Sequence, residues 1–530
     1  MNRLLATTSL ALLAAATPGW AEITPAEVWD HLVRQYQSMG YTVTEGSREE
    51  AGDTLTITDA RIAVDGEFSS MIMTMPKVAM NQTGDGNVRW SIDGDIAGEI
   101  TTHGLEDNDQ VITYTVGMPG NETVSSGTAD DLTHEFKAEQ MLFAMDMPME
   151  GSGAVMPMAV TLEGVAGTQH SVRGDAGVET TVESSAGKLV MTAKGDMPET
   201  ADGGPGTMSL EATVDGLAMS GRMLVAPGDF NMETQMTEAL QAGTQLAFDL
   251  TYAASNGTFS FSGPGEDGTL QTGDGSYTSG PGTGRFGLSQ DGLKYASSAE
   301  TIDASMTLGN LPFPMSYQVA KGGFDLEMPV LASDQPAPFK LLTSITGLGI
   351  NDELWSLFDP QGKLAHDPAD LNIDVAGDVL LSESLLTPPT DMDMPMGDQA
   401  DTDMADDGTG TDAPGMAAMP QPPVPVRVTL NDLTLRAVGA EARVSGELTA
   451  PEGGDMMAAP VGQIEGQFAG VNALLDTLGA MGLVPDDQMM GARMMLAMFA
   501  KPVEGETDKL QTRLEFGADG SIFANGQKVK

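Results

Sequence analysis

A chain of 530 residues with 25 basic against 76 acidic side chains, a formal net charge of −51 with His neutral and no cysteine is bounded before any motif is read. Nucleic-acid backbones and anionic lipid headgroups are held by Lys and Arg, so a surface this acidic repels both. Lack of cysteine removes disulfides, a lipid-anchoring cysteine, thiolate metal sites and covalently attached haem.

Residues 1–21 read as a secretory signal: Arg3, an apolar run from Leu4 to Ala16, then small residues flanking Trp20, with cleavage expected after Ala21. The run is too short to span a bilayer, which needs ~20 residues, and no later stretch is long enough, so no transmembrane segment is expected and the expected location is periplasmic. Removing these residues takes away Arg3 and no acid, leaving 24 basic and 76 acidic residues and a net charge of −52. Charge of this size keeps a protein soluble in a salty habitat without requiring a cation site.

In residues 22–310 a first helix is signalled by Thr24-Pro25-Ala26-Glu27, a capping box with proline at the first helical position, and Val28, Leu32 and Tyr36 share one face before Gly40 stops it. From Tyr41 to about Gly309 the pattern is period-two alternation broken by turn residues, the signature of half-buried strands. Asp65-Gly66, Asp93-Gly94 and Asp215-Gly216 each follow such a run and predict hairpin turns. Gly263 to Gly282 is the stretch richest in breakers and is expected to be a surface excursion. No strict period recurs, so neither a propeller nor a solenoid is indicated.

Residues 311–386 are expected to mix helix and strand: Phe339 to Leu348 and Glu353 to Phe358 read as helices, and Leu371, Ile373 and Val375 as a strand. Residues 387–425, rich in Asp, Met, Pro, Gly and Thr and without a basic residue until Arg427, read as a disordered acidic linker. In residues 426–530, Val426 to Thr449 forms a hairpin that resets its register at Asn431-Asp432 and turns at Gly439; Gln463 to Phe468 is a strand. Val471 to Leu483 and Asp487 to Ala500 read as two helices, the second with Met490, Met494, Ala497 and Met498 on one face, and a terminal hairpin follows.

Leu354-Trp355, Asp359-Pro360, Leu364, His366-Asp367-Pro368-Ala369-Asp370-Leu371, Ile373-Asp374 and Gly377, continued by Gly470-Val471-Asn472, Arg493-Met494-Met495 and Ala524-Asn525-Gly526-Gln527, resemble the uncharacterised alphaproteobacterial family called domain of unknown function 2125. The resemblance implies an envelope context and assigns no catalytic residue. The loose strand pattern is also similar to that of AsmA-like envelope proteins, which handle lipids between membranes.

Chemistry-bearing patterns are sparse. His31, His103, His134, His170 and His366 show no i, i+2 or i, i+4 pair of the kind a zinc site uses, and are taken as incidental, with His366 set apart because it lies in the family-like segment, where a structural contact is equally compatible. Asp401, Asp403, Asp406 and Asp407 miss the register of a calcium loop. Methionine is the unusual enrichment, with 37 residues. Thioethers are soft ligands suited to copper(I), and the candidate ligands are Met392, Met394, Met396, Met145, Met147 and Met149. Against that, Met71, Met73 and Met75 fit the apolar face of a strand, where methionine fills irregular gaps.

The expected fold is mainly β with minor α: a long antiparallel meander forming a curved sheet or half-pipe, capped by a few short helices, with the helices from Val471 to Ala500 closing its apolar side. The expected function is non-catalytic, without a cofactor: binding a lipid or acyl chain, or an envelope protein partner. Copper(I) handling and a structural envelope role are the alternatives.

Overall fold

The computed structural model describes residues 23–66, 69–103, 109–149, 155–197, 206–228, 230–232, 234–265, 269–309, 311–386, 422–451, 454 and 456–530. The expected signal peptide and residues 387–421 of the expected linker lie outside the described residues.

The first element is α1 (Pro25–Ser38). Its capping box is closed at both ends, with the Glu27 amide donating to Thr24 Oγ1 at 3.2 Å and the Thr24 amide donating to Glu27 Oε2 at 2.9 Å. The chain then enters β1 (Thr42–Thr44), β2 (Ser47–Ala51), β3 (Thr54–Asp65), β4 (Ser69–Gln82), β5 (Val88–Ile92), β6 (Ile96–Thr102), β7 (Gln110–Gly117) and β8 (Glu122–Thr128). Four long strands follow, β9 (Asp131–Pro148), β10 (Val155–Gly174), β11 (Gly177–Met197) and β12 (Gly206–Val225). After α2 (Met236–Gln241) come β13 (Gln245–Tyr252), β14 (Ala254–Pro264), β15 (Leu270–Ser279), β16 (Gly282–Ser289), β17 (Gly292–Leu308), β18 (Met315–Met328) and β19 (Ala337–Ile350). The last third holds α3 (Asp352–Phe358), β20 (Ala369–Leu380), β21 (Val424–Ala437), β22 (Ala440–Thr449), β23 (Val461–Ala469), α4 (Val471–Met481), α5 (Asp486–Phe499), β24 (Lys501–Pro502), β25 (Lys509–Phe516), β26 (Ile522–Ala524) and β27 (Gln527–Lys528).

All of these strands belong to one antiparallel sheet. Strands adjacent in the chain are mostly adjacent in space, so the sheet is a meander, mainly β with minor α as the alternation predicts. β17 and β18, on either side of residue 310, pair with each other, and β20 pairs with β21, whose Val424 and Pro425 place the end of the expected linker in the sheet.

A line of irregular residues crosses the ladder. β5 and β6 lie end to end along β4, β7 and β8 along β9, β13 and β14 along β12, and β15 and β16 along β17. At the same level Asp59, Gly94, Gly120, Gly164, Gly216, Thr301 and Gly347 have positive φ. Pairing is interrupted at each of these positions, and at Gly347 the register of β19 against β20 also shifts, so this line is a crease. Two expected hairpins are corrected here. Asp93-Gly94 joins β5 to β6 on the same flank of β4, and Asp215-Gly216 lies inside β12, with Asp215 opposite Lys188 and Gly216 between that pair and Leu217–Ala186. The glycine of an Asp-Gly pair takes positive φ readily, and a break in strand pairing uses that as well as a two-residue turn does.

Gly347, at φ +69°, is pinned at the crease because a Cβ there would sit 2.8 Å from the Cβ of Ala320. Gly347→Val should therefore destabilise the sheet by about 2 kcal/mol in chemical denaturation, through left-handed strain and the clash.

Two other readings change. Phe339 to Leu348 is strand, not helix: it forms the middle of β19, held by β18 on one side and β20 on the other. Its mixed Leu, Thr, Ser and Ile content allowed both readings, and the two neighbouring ladders decided. Gly263 to Gly282 is not a surface excursion, since Leu270 to Ser279 is β15 and pairs along its length with β14. Other turns follow expectation. The β21–β22 hairpin turns through Val438 and Gly439, both at positive φ, and its register shifts between Leu430 and Leu433, around Asn431-Asp432.

Burial is uneven. At the amino-terminal end, Val28 and Trp29 of α1 pack on Leu55, Ile57, Ile62, Met80 and Val88, all at most 2% exposed. A small second cluster under α2 contains Leu240, Leu288 and Val330. From β10 to β25 most apolar side chains are only half-buried.

Candidate functional site

That half-buried stretch is the candidate site, and register shows how it is built. Directly opposed residues on successive strands run Val182, Gly221, Phe248, Phe286, Tyr295, Leu326 and Leu341. The row continues through Val375, Leu430, Gly446, Ile464, Leu514 and Ala524. Every member is apolar or glycine. With neighbouring strands ~4.8 Å apart, this one row covers ~60 Å. Across the crease a second row runs Tyr114, Met145, Met158, Ala193, Leu210, Phe259, Gly275, Met306 and Met315.

The opposite face is polar. Lys188–Asp215, Arg285–Asp249, Lys321–Glu300, Arg427–Asp378 and Arg513–Glu465 pair between directly opposed residues there. These exposed pairs contribute little stability individually, but they keep that face in water and so fix which face is apolar.

Glycine shapes the apolar face. An added Cβ would sit 2.7 Å from the Phe248 ring at Gly221, 2.3 Å from Phe259 at Gly275 and 2.4 Å from Tyr277 at Gly257. Each ring therefore lies across a glycine of the neighbouring strand and does not stand up from the sheet. The face stays low and open. At its edge, a hollow of about 760 Å³ is lined by Leu293, Met328, Pro329, Leu331 and Phe339, with Lys294 and Lys340 among the polar residues around it.

Helices leave much of this face uncovered. The expectation that the segment from Val471 to Ala500 closes the apolar side is corrected: Met490, Met494 and Met498 of α5 are 67%, 61% and 52% exposed, and α4 has no buried residue. Met489, one position round the helix, is the buried methionine of α5. Helical period alone marks a stripe without saying which side of it meets the sheet.

The predicted methionine sites divide. Met145 and Met147 lie on β9 and are half-buried on the apolar face; Met149 follows the strand. Met392, Met394 and Met396 lie outside the described residues. Met71, Met73 and Met75 do line one face of β4, with Met75 7% exposed in the amino-terminal core.

Two histidines read as incidental come together. His31 on α1 and His134 on β9 are 5% and 4% exposed, with ring centroids 6.3 Å apart. His31 Nδ1–H donates to the Ala129 carbonyl at 3.1 Å. His134 Nδ1 lies 2.7 Å from Ser125 Oγ, which accepts from Trp90 Nε1–H at 2.9 Å. Neither Nε2 has a hydrogen-bond partner. Desolvation lowers both pKa values, that of His134 to about 4. Both rings are therefore neutral at pH 7 and serve as packing between helix and sheet. Their separation in the chain, 31 against 134, hid the pair from any spacing rule.

His366 stacks on Trp355, centroids 4.0 Å apart and planes 7° from parallel, and its Nε2 is 3.2 Å from Asp359 Oδ2. The same carboxylate accepts the Lys363 and Leu364 amides at 2.9 and 2.7 Å. Burial works against the Asp359 anion, but these donors outweigh it and hold its pKa below the usual value. The cluster anchors the turn after α3, the structural contact left open for His366. Among the described residues, no group of three or more His, Asp or Glu side chains is placed to hold a metal ion.

No helix among the described residues is long and apolar enough to cross a membrane. No curated protein and no solved structure matches the chain. Residues 355–529, which contain the Trp355–Asp359–His366 anchor and the part of the apolar row from Val375 to Ala524, match the family described as an uncharacterized protein conserved in bacteria (DUF2125).

Proposed function

We propose that this is a non-catalytic binding protein of the bacterial envelope, exported through its signal sequence, that carries a lipid or acyl chain on the apolar face of its sheet. The observation that carries this reading is the uninterrupted apolar row from Val182 to Ala524, whose large side chains stay half-buried or, at Tyr295, exposed. A sheet closed into an ordinary core brings such side chains to near-complete burial, as α1 does at the amino-terminal end. An apolar surface of this length left partly in water is costly at roughly 25 cal/mol per Å², and an acyl chain laid along it removes that cost. The hollow beside Phe339 has the volume of a small-ligand site.

The test is native mass spectrometry of the mature protein from its own periplasm, with lipid extraction in parallel. A copurifying acyl species at fixed ratio is expected in the wild type and should be lost, or weakened at least tenfold, in Leu326→Asp, which places a charge in the middle of the row. An apo mass in the wild type, or undiminished lipid in the folded variant, would refute the reading.

A further inference from the structure

The register brings together two methionine clusters that are separate in the sequence. Met145 and Met147 on β9 stand directly opposite Met158 and Met156 on β10. Residues two apart on a strand share a face, so the four side chains form a square on the apolar face. Directly opposed Cβ atoms lie ~5 Å apart, and each sulfur is two bonds beyond its Cβ, so flexible thioethers from both strands can reach one ion at ~2.3 Å.

The neighbouring strand provides the space. Next to Met158 on β11 is Ala193, and two residues further along is Gly195, where an added Cβ would meet Met156 Cγ at 3.4 Å. Across Gly195, β12 presents Met208. Ala193 is only 4% exposed although no helix among the described residues packs extensively on these strands, so the long side chains around it fold over the small residues. Leu or Val would fill an apolar face here equally well, as Val160 and Leu162 do at the next positions of β10. Five thioethers around an Ala–Gly floor are a soft donor set with no competing imidazole or thiolate.

We propose that Met145, Met147, Met156, Met158 and Met208 form a binding site for one soft monovalent cation of the copper(I) class. Neutral thioethers favour this class over zinc, calcium or magnesium, which take imidazole, thiolate or oxygen ligands. The strongly acidic chain raises the local concentration of any cation, while the ligand set supplies the selectivity. This site is independent of the acyl-binding row, which lies on the other side of the crease.

The probe is silver(I), which has the same charge and softness and needs no reductant, titrated into the full mature chain by calorimetry and native mass spectrometry. One ion per chain is expected, with at least tenfold weaker binding in the double variant Met145→Leu/Met158→Leu and in Met147→Leu/Met156→Leu. Leucine nearly conserves volume and apolarity, so both variants keep the fold, checked by circular dichroism. Two control variants, Met490→Leu/Met494→Leu/Met498→Leu and Met392→Leu/Met394→Leu/Met396→Leu, should retain the site. Wild-type binding in both paired variants, or loss confined to a control variant, would overturn the proposal.

Discussion

Lowering the pH from 7 to 4 should loosen α1 from the sheet, with a loss of ~3 kcal/mol from His134 alone. Its imidazole titrates near the ordinary 6.5 in the unfolded chain but at about 4 in the folded one, because burial opposes the charge and the second imidazole of His31 adds to the opposition. The unfolded state therefore binds the proton first. Stability is full above pH 6.5, falls by ~1.4 kcal/mol per pH unit between 6.5 and 4, and is flat below. His31 titrates low for the same reason, with desolvation and the nearby Arg34 and Arg173 outweighing its bond to the Ala129 carbonyl and the charge of Asp130, so it adds to the same slope.

Trp29 and Trp90 lie in this core and report its opening by fluorescence. The midpoint of urea unfolding should fall steadily across that pH window. His134→Gln should flatten the slope, at some cost at neutral pH. A slope unchanged in that variant would place the acid response elsewhere.

Truncating Ile57 should cost far more than truncating Leu210. Ile57 is fully buried beneath α1 and has no route to solvent, so Ile57→Ala leaves a cavity worth about 2–5 kcal/mol. Leu210 lies on the open apolar face, half-buried beside Ala193 and Phe259, and loses only part of its transfer energy on truncation, about 1 kcal/mol. The contrast separates an open face from a sealed core. Equal costs, measured by hydrogen exchange on β3 and β12, would mean that the face is packed in solution. Local exchange is the suitable measurement because a long meander need not unfold in one step.

Both predictions depend on the amino-terminal end, where α1 lies across the sheet and seals the larger of the two buried clusters. α1 is specified locally: the capping box and Pro25 start it, and its apolar stripe supplies Val28 and Trp29. The remaining helices are short or stand off the sheet, so the middle strands have no second layer to bury against. The ion pairs of the polar face were legible only as abundance of charge. Their direct opposition across strands, such as Arg427 with Asp378 from 49 residues away, depends on register.

By itself the sequence determined the strand-turn grammar, the amino-terminal helix, the β21–β22 hairpin with its shift at Asn431-Asp432, and the motifs from Leu354 onward that resemble a bacterial family, whose match covers residues 355–529. These are local properties, written in period-two alternation, caps and glycine positions. Tertiary structure decided the rest. It placed Asp93-Gly94 and Asp215-Gly216 at the crease and not in hairpin turns, made a strand of Phe339 to Leu348, turned the methionine stripe of α5 to solvent, and set His31 against His134 and Met145 against Met158. The physical reason is that pairing partners tens of residues apart set register, face and burial, and no local pattern records which partner will be opposite.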